Sequence, residues 1–373
     1  FFCKILIFAN FSKAFVPFSF HSIKFRPISA QNAHDSEFIG QFHSFFVACF
    51  IGVSFSVANP IEALSVATDL RSAVDERLTS EIRTKKPIDN LIDPNRPIGE
   101  PTPSEIKVAK DAFELFDKKE LASSEKKFGE AILIWEKLNR PLDEIASLYK
   151  ARGNVETDLK KFDSALDDFD LVLKMMEQDG ARNKDGTAKY FEFPDTYVQR
   201  GLAKEGLADW QGAIDDYSEA IKLWGGGRGP GINPYVLTFR GNALSYIGRY
   251  YEAIKDYDSA DELFLLQRNP DRAIEARANK ALALYEVGQT TDSIKLMRNV
   301  LRKQPGFADL HIAIASDAWK NKNFGLAEEE WAFACENIDV GCSKYKDIEW
   351  VRKIRRWPPS LANELQNFLS KNY

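Results

Sequence analysis

FRGNALSYIGRYYEAIKDY, Phe239 to Tyr257, sets small residues where a buried helix ordinarily carries bulk: Gly241 and Ala253 are twelve apart, and Tyr257 follows one helical turn later. The arrangement recurs. ARGNVETDLKKFDSALDDF carries Gly153, Ala165 and Phe169, and QRGLAKEGLADWQGAIDDY carries Gly201, Ala213 and Tyr217. Looser copies flank these three: KKFGEAILIW places Ala131 before Trp135, NKALALYEVGQTTDSIKLM joins Ala281 to Ser293 and Met297, and IASDAWKNKNFGLAEEEW joins Ala315 to Ala327 and Trp331. The second small residues, at 131, 165, 213, 253, 293 and 327, are spaced by 34, 48, 40, 40 and 34 residues, a tandem array of period 34 with insertions.

Small residues at fixed spacing are what two closely crossing helices require, because only Gly or Ala admits the approach while an aromatic on the second helix fills the space beside it. Period and residue pattern together resemble the tetratricopeptide repeat family, over roughly Ser104 to Asn337. The resemblance implies an all-α, right-handed α-solenoid of about six helix pairs. Gly153, Gly201, Gly241, Ala281 and Ala315 are then the packing positions of the first helices, and Ala165, Ala213, Ala253, Ser293 and Ala327 those of the second. Gly248 and Gly288 stand where a turn glycine precedes the second helix, and Pro305 where a repeat ends. The first copy departs, with Lys119 at the small position, and is expected to be a capping unit.

Members of that family bind protein or peptide partners on the surface lined by their first helices. Carried over position by position, the resemblance implies a partner groove of Lys150, Asn154, Val198, Gln199, Leu202, Tyr235, Thr238, Asn242, Leu282 and Tyr285, with Ser147, Thr157, Asp195 and Glu205 among the further lining positions. One subgroup clamps acidic chaperone tails with Lys and Asn four apart, a further Asn, and a basic pair. Lys150 and Asn154 match, but Gln199 replaces the next Asn, and Tyr235 and Phe239 stand where the cations belong, which disfavours such a clamp.

Outside the array, residues 1–63 read as a bipartite targeting region. No acidic residue precedes His34, Lys4, Lys13, Lys24 and Arg26 lie among Ser and aromatic residues, and FFVACFIGVSFSVA, Phe45 to Ala58, has the length of a transfer segment. This order resembles presequences that lead through the plastid envelope into the thylakoid lumen; an uncleaved anchor and a mitochondrial address are the alternatives. The chain opens on Phe1, so a longer precursor is expected, and cleavage after Ala63 would take the net charge from −5 to −6. Residues 64–103 are expected to end in a Pro-rich extended linker, with helix from Ser104; 104–340 is the array. In 341–373, a helix Lys344 to Trp357 and another Ser360 to Leu369 are expected to cap its end.

The composition argues against reaction chemistry. Beyond residue 63 the sole histidine is His311 and the only cysteines are Cys335 and Cys342, so a His-based metal site or triad cannot be assembled there. GGGRGPG, Gly225 to Gly231, lacks the Lys and Ser or Thr of a phosphate loop and reads as a connector. Cys335 and Cys342 form a candidate disulfide for an oxidising compartment. Arg152, Arg200 and Arg240 co-occur with Asp168, Asp216 and Asp256, which predicts an ion pair between the helices of each pair.

The resulting expectation is a non-enzymatic scaffold without cofactor or metal, holding a protein or peptide partner and assisting a thylakoid complex, with thylakoid membrane association open. The alternatives are a peptide-clamp co-chaperone and an RNA-binding helical-repeat organelle protein. Nucleic acid is not expected, because the array is acidic and its one cationic cluster is Arg352, Lys353, Arg355 and Arg356.

Overall fold

The computed structural model describes residues 96–226, 232–338 and 342–372. The expected targeting region, most of the expected linker and the tip of the glycine-rich connector lie outside the described residues. Among those described, 14 α-helices and one 3-10 helix occur, with no strand beyond an isolated bridge between Arg182 and Ala188. The described residues form two compact units, one of residues up to Leu159 with Asp170–Asp179, the other of Lys160–Phe169 with those from Gly180 onward.

The first unit contains α1 (Pro103–Asp117), α2 (Leu121–Lys137) and α3 (Leu142–Asp158), each packed on the next. Helix α4 (Phe162–Gln178) contributes to both units. Helix α1 starts one residue before the expected Ser104. Thr102 is the N-cap, Pro103 is the first helical residue, and the Thr102 backbone N–H donates to Glu105 Oε2 at 2.8 Å, completing a capping box. The preceding segment is pinned to the α2–α3 turn: Gly99 N–H donates to Leu138 O at 2.8 Å, and Arg140 donates to Gly99 O at 3.1 Å. Residues 96–102 are thus part of the packed unit, not linker.

The first repeat is a complete pair whose register differs from the expected one. Ser124 Oγ donates to Ala112 O across twelve residues, as Ser293 Oγ does to Ala281 O, and Phe128, four residues on, is fully buried. Ala112 and Ser124, not Lys119 and Ala131, are therefore the small contact positions. Serine serves because its hydroxyl is satisfied on the facing carbonyl, so it packs with the volume of a small residue and leaves no orphaned polar atom. Lys119 lies seven residues after Ala112, in the turn.

The second unit contains α5 (Glu192–Gly206), α6 (Trp210–Leu223), α7 (Pro234–Tyr246), α8 (Tyr250–Leu266), α9 (Pro270–Glu286), α10 (Thr290–Leu301), α11 (Ala308–Lys320) and α12 (Phe324–Glu336). Consecutive helices pack on one another throughout. Gly201, Ala213, Gly241, Ala253, Ala281, Ser293, Ala315 and Ala327 are all buried here, as are Ala165 in this unit and Gly153 in the first. At Gly201 and Gly241 the close neighbour is an aromatic ring rather than a backbone: a Cβ there would stand 2.5 Å from Tyr217 and 2.7 Å from Tyr257. Tyrosine at the twenty-fourth repeat position thus occupies the volume that glycine at the eighth vacates.

Every pair turns through a left-handed residue seven positions beyond its small contact residue: Lys119, Lys160, Ala208, Gly248, Gly288 and Lys322, with φ between 60° and 82°. The two glycines legible in the sequence mark a turn that four non-glycine residues also adopt. Two of the three anticipated ion pairs are bidentate, Arg200 on Asp216 at 2.6 and 2.9 Å and Arg240 on Asp256 at 2.7 and 2.8 Å. Arg152 and Asp168 belong to different units. In the next repeat Lys280 reaches back to Asp258, so the linkage there runs between successive pairs.

The insertion after α4 is built, not slack. Asn183 N–H donates to Thr187 O, Asp185 caps Thr187, and Ala188 N–H donates to Leu223 O at 2.9 Å at the end of α6. Cys335, in the last turn of α12, is disulfide-bonded to Cys342, with Cα atoms 4.7 Å apart. The expected helix Lys344 to Trp357 is instead a 3-10 turn, Ser343–Lys346, and a six-residue helix α13, Ile348–Lys353, capped by Asp347. Helix α14 (Pro359–Asn372) packs on α11 and also on α9.

Candidate interaction site on the first-helix face

The groove positions implied by the family resemblance divide. Lys150, Asn154, Gln199, Leu202, Thr238 and Asn242 are half-buried, whereas Val198, Tyr235, Leu282 and Tyr285 are buried, at most 7% exposed, and cannot line an open surface. Each has a covering neighbour. Val198 and Tyr235 belong to the core of α5 to α9, where the Tyr235 ring meets Phe264 edge-on at 4.9 Å and Arg272 lies 5.8 Å above it. Leu282 and Tyr285 share one apolar cluster with Leu361, Leu365 and Phe368 of α14. The Tyr285 hydroxyl donates to Asp317 at 3.0 Å, and burial raises its pKa. Asn242 works internally too, accepting from the Tyr257 hydroxyl at 2.9 Å.

The C-terminal segment accounts for much of that cover. Phe368 stands against Trp319 and Trp331, at 5.5 and 5.2 Å, so α14 caps the last pair as anticipated. Its approach then runs along the first helices of earlier repeats. Asp309, at the start of α11, accepts from Arg355 Nε at 2.8 Å and from the indole of Trp357 at 2.8 Å. Glu286, ending α9, accepts from Ser360 N–H at 2.9 Å, and Lys320 of α11 pairs with Glu364 at 3.1 Å. Trp357 and Tyr345 are almost fully buried, their rings 5.6 Å apart.

Arg356 reaches furthest. Its Nη1 donates to Glu205 Oε2 at 2.9 Å, and its guanidinium carbon stands 4.4 Å from the ring centre of Trp210 and 5.7 Å from that of Tyr246. The two rings lie 4.2 Å apart. The local sequence presents all three groups. Glu205 is in the last turn of α5; Ala208, at φ 60°, reverses the chain; Asp209 caps Gly212 N–H; and Trp210 opens α6. Gly212 permits that cap, because a Cβ would meet the Asp209 carboxylate at 2.1 Å. Tyr246 ends α7 and is 41% exposed. Burial, with Glu205 next, raises the Tyr217 phenol well above its ordinary pKa, so it remains the donor to Glu205 Oε1 and leaves Oε2 for the cation.

Magnitudes separate an anchor from a loosely held tip. Trp357, 4% exposed, ties the segment down, because burying a large apolar side chain contributes roughly 1.5–3 kcal/mol, and the half-buried Arg355–Asp309 pair adds to it. Arg356 is 34% exposed, where an ion pair contributes ~1 kcal/mol or less and a cation over aromatic rings about as much. Its φ of 59° costs roughly 1–2 kcal/mol in return. The cage of Glu205, Trp210 and Tyr246 therefore holds its own arginine with little net free energy.

Glu205 was among the positions carried over from the family; the cage was not legible. Its aromatic members are the first residue of a second helix and the last of a first helix, outside the repeat positions that line a groove. The cationic cluster was visible as a cluster, yet its direction was not. Arg352 donates to Asn363 and Gln366, Arg355 to Asp309 and Arg356 to Glu205, so three of the four side chains turn inward onto the protein. His311 is likewise internal, 7% exposed, stacked on Phe333 at 4.4 Å and flanked by Glu330 and the Pro305 carbonyl. Among the described residues, no group of three or more His, Cys, Asp or Glu is placed to hold a metal ion, and no helix is long and apolar enough to cross a membrane.

No family model and no curated protein matches the chain. Among solved structures it is similar to the apo form of RapI, 11% identical with a TM-score of 0.52, the match covering 72% of this chain and 97% of that one. It is also similar to a tetratricopeptide repeat protein from Parabacteroides merdae, 15% identical with a TM-score of 0.49, covering 73% and 94%. YrrB, described as a TPR protein with an unusual peptide-binding site, is 17% identical with a TM-score of 0.41, covering 59% and 94%. The likeness to RapI shows the fold: an all-α array of successive helix pairs.

Proposed function

We propose that this chain is a non-enzymatic scaffold that binds an extended segment of another protein along its first helices. One observation carries the reading: in the second unit these helices already hold a piece of polypeptide, the short irregular turn that leads into α14 and the first residues of that helix, through Glu205, Glu286 and Asp309. A surface that satisfies backbone, guanidinium and indole donors in this way is built to recognise polypeptide. Three of the four cationic side chains of residues 352–356 are engaged by acceptors of the protein itself, which favours a protein partner over RNA.

The place of action we propose is the thylakoid, in the lumen or on the lumen-facing membrane, where the scaffold assists assembly or maintenance of a membrane complex. Support comes from the two successive targeting-type segments within residues 1–63 and from the Cys335–Cys342 disulfide, which suits an oxidising compartment. Site-directed photo-crosslinking in fractionated plastids tests the reading. A reactive side chain at Leu202, on a first helix, captures a discrete thylakoid protein; one at Tyr251, 66% exposed on a second helix, does not. Capture at Tyr251 alone, or at neither position, removes the reading.

A further inference from the structure

We infer that the cage formed by Glu205, Trp210 and Tyr246 is an arginine-recognition site for a partner segment, and that Arg356 is its resident occupant in cis. The inference rests on the scaffold reading above and gives the partner a chemistry: an exposed arginine side chain.

Three features of the cage define the ligand. A carboxylate whose second oxygen is engaged by Tyr217 presents one acceptor, Oε2, to a donor arriving beside the rings. Paired aromatic faces 4.2 Å apart select a flat, weakly hydrated cation, which a guanidinium satisfies and a compact ammonium satisfies less well. The neighbouring Asp309 stays filled by Arg355 and the indole of Trp357, so the exchangeable position is a single arginine.

Exchange is built in at one residue. Trp357 is almost fully buried and stays; Arg356 is 34% exposed at its rim and takes a left-handed backbone with φ 59° that disfavours it relative to glycine. An incoming arginine meets the same three groups, so it competes for them with the Arg356 side chain while α14 remains packed. The apparent affinity of the site is lowered by the fraction of time Arg356 fills it, and removing Arg356 raises it.

The experiment uses the full chain and a synthetic heptapeptide with the sequence of residues 352–358, RKIRRWP, followed by titration calorimetry. Arg356→Gly suits the observed φ, empties the cage and is expected to bind the peptide roughly two- to fivefold more tightly than the native chain. A peptide with glutamine in place of its second consecutive arginine loses at least tenfold on the Arg356→Gly chain. Adding Glu205→Gln to that chain has the same effect on the unmodified peptide, with circular dichroism and melting temperature reporting that the fold is kept. Equal affinity of both peptides for the Arg356→Gly chain, or no binding at all, overturns the inference. Either outcome leaves partner capture at Leu202 untouched, whereas loss of that capture with peptide binding intact removes the scaffold reading alone.

Discussion

Gly241 and Tyr257 are sixteen residues apart and share one volume: a Cβ on Gly241 would lie 2.7 Å from Tyr257 Cε1, inside any real carbon contact. Two effects oppose each other at this site. Alanine in a helix gains about 1 kcal/mol over glycine, whereas forcing extra volume into a packed core costs roughly 1–3 kcal/mol. The ring is 2% exposed and hydrogen-bonded through its hydroxyl to Asn242, so it has little room to retreat and the steric cost prevails. Gly241→Ala is expected to lower stability by about 1–2 kcal/mol, and Tyr257→Leu in the same chain to recover part of it. Urea midpoints at constant m-value measure both; a higher midpoint for Gly241→Ala alone contradicts the packing account.

That contact is also where the sequence was most informative. The alternation of Gly241, Ala253 and Tyr257 encodes a local steric demand, and it repeats, so the helix pairs were readable without any partner structure. The first repeat was misread for a physical reason: Ser124 is a polar residue in a small-residue position, and its fitness depends on a bond to Ala112 O that periodicity does not reveal. Long-range placement was beyond reach for the same kind of reason. Nothing near Arg356 in sequence indicates that it meets Glu205, 151 positions earlier, because that pairing depends on the angle at which Arg356 leaves α13.

Arg240 and Asp256 test whether the recurrent pair stabilises or only specifies. Asp256 is 6% exposed and accepts two hydrogen bonds from Arg240, which also donates to Ser218 at 3.1 Å in the preceding pair. Removing the cation strands a buried carboxylate, so Arg240→Met is expected to cost about 3 kcal/mol or more, whereas Arg240→Met with Asp256→Leu costs much less. A double-mutant cycle by denaturant unfolding gives the coupling. Additive losses would mean the two groups are not an energetic unit.

Ala208 offers a gain. It turns the chain at φ 60° where Gly248 and Gly288 hold the equivalent positions in the next two repeats. An L-residue there crowds its own Cβ against the backbone, and glycine removes the clash, so Ala208→Gly is expected to stabilise by about 0.5–1 kcal/mol. Ala203→Gly, in the fully buried interior of α5, provides the contrast and should destabilise by at least 1 kcal/mol. Thermal unfolding of the two variants beside the native chain decides; equal losses would show that the turn conformation is not what limits position 208.

Asp158 supplies the pH dependence. Burial raises its pKa to about 6, with Lys119 at 3.6 Å offsetting only part of the penalty. In the unfolded chain an aspartate releases its proton near pH ~3.9, so between there and pH ~6 the folded state binds more protons than the unfolded one, and stability falls as pH rises through that window. Above pH 6 the cost is fully present, roughly 1–2 kcal/mol after allowing for the carboxylate's remaining contact with solvent. Asp158→Asn keeps the shape and cannot ionise. It is therefore expected to match the native chain near pH 4 and to exceed it by about 1 kcal/mol at pH 7, read from urea midpoints at several pH values. If the two midpoint curves run parallel from pH 4 to 7, the buried carboxylate is not the group that titrates.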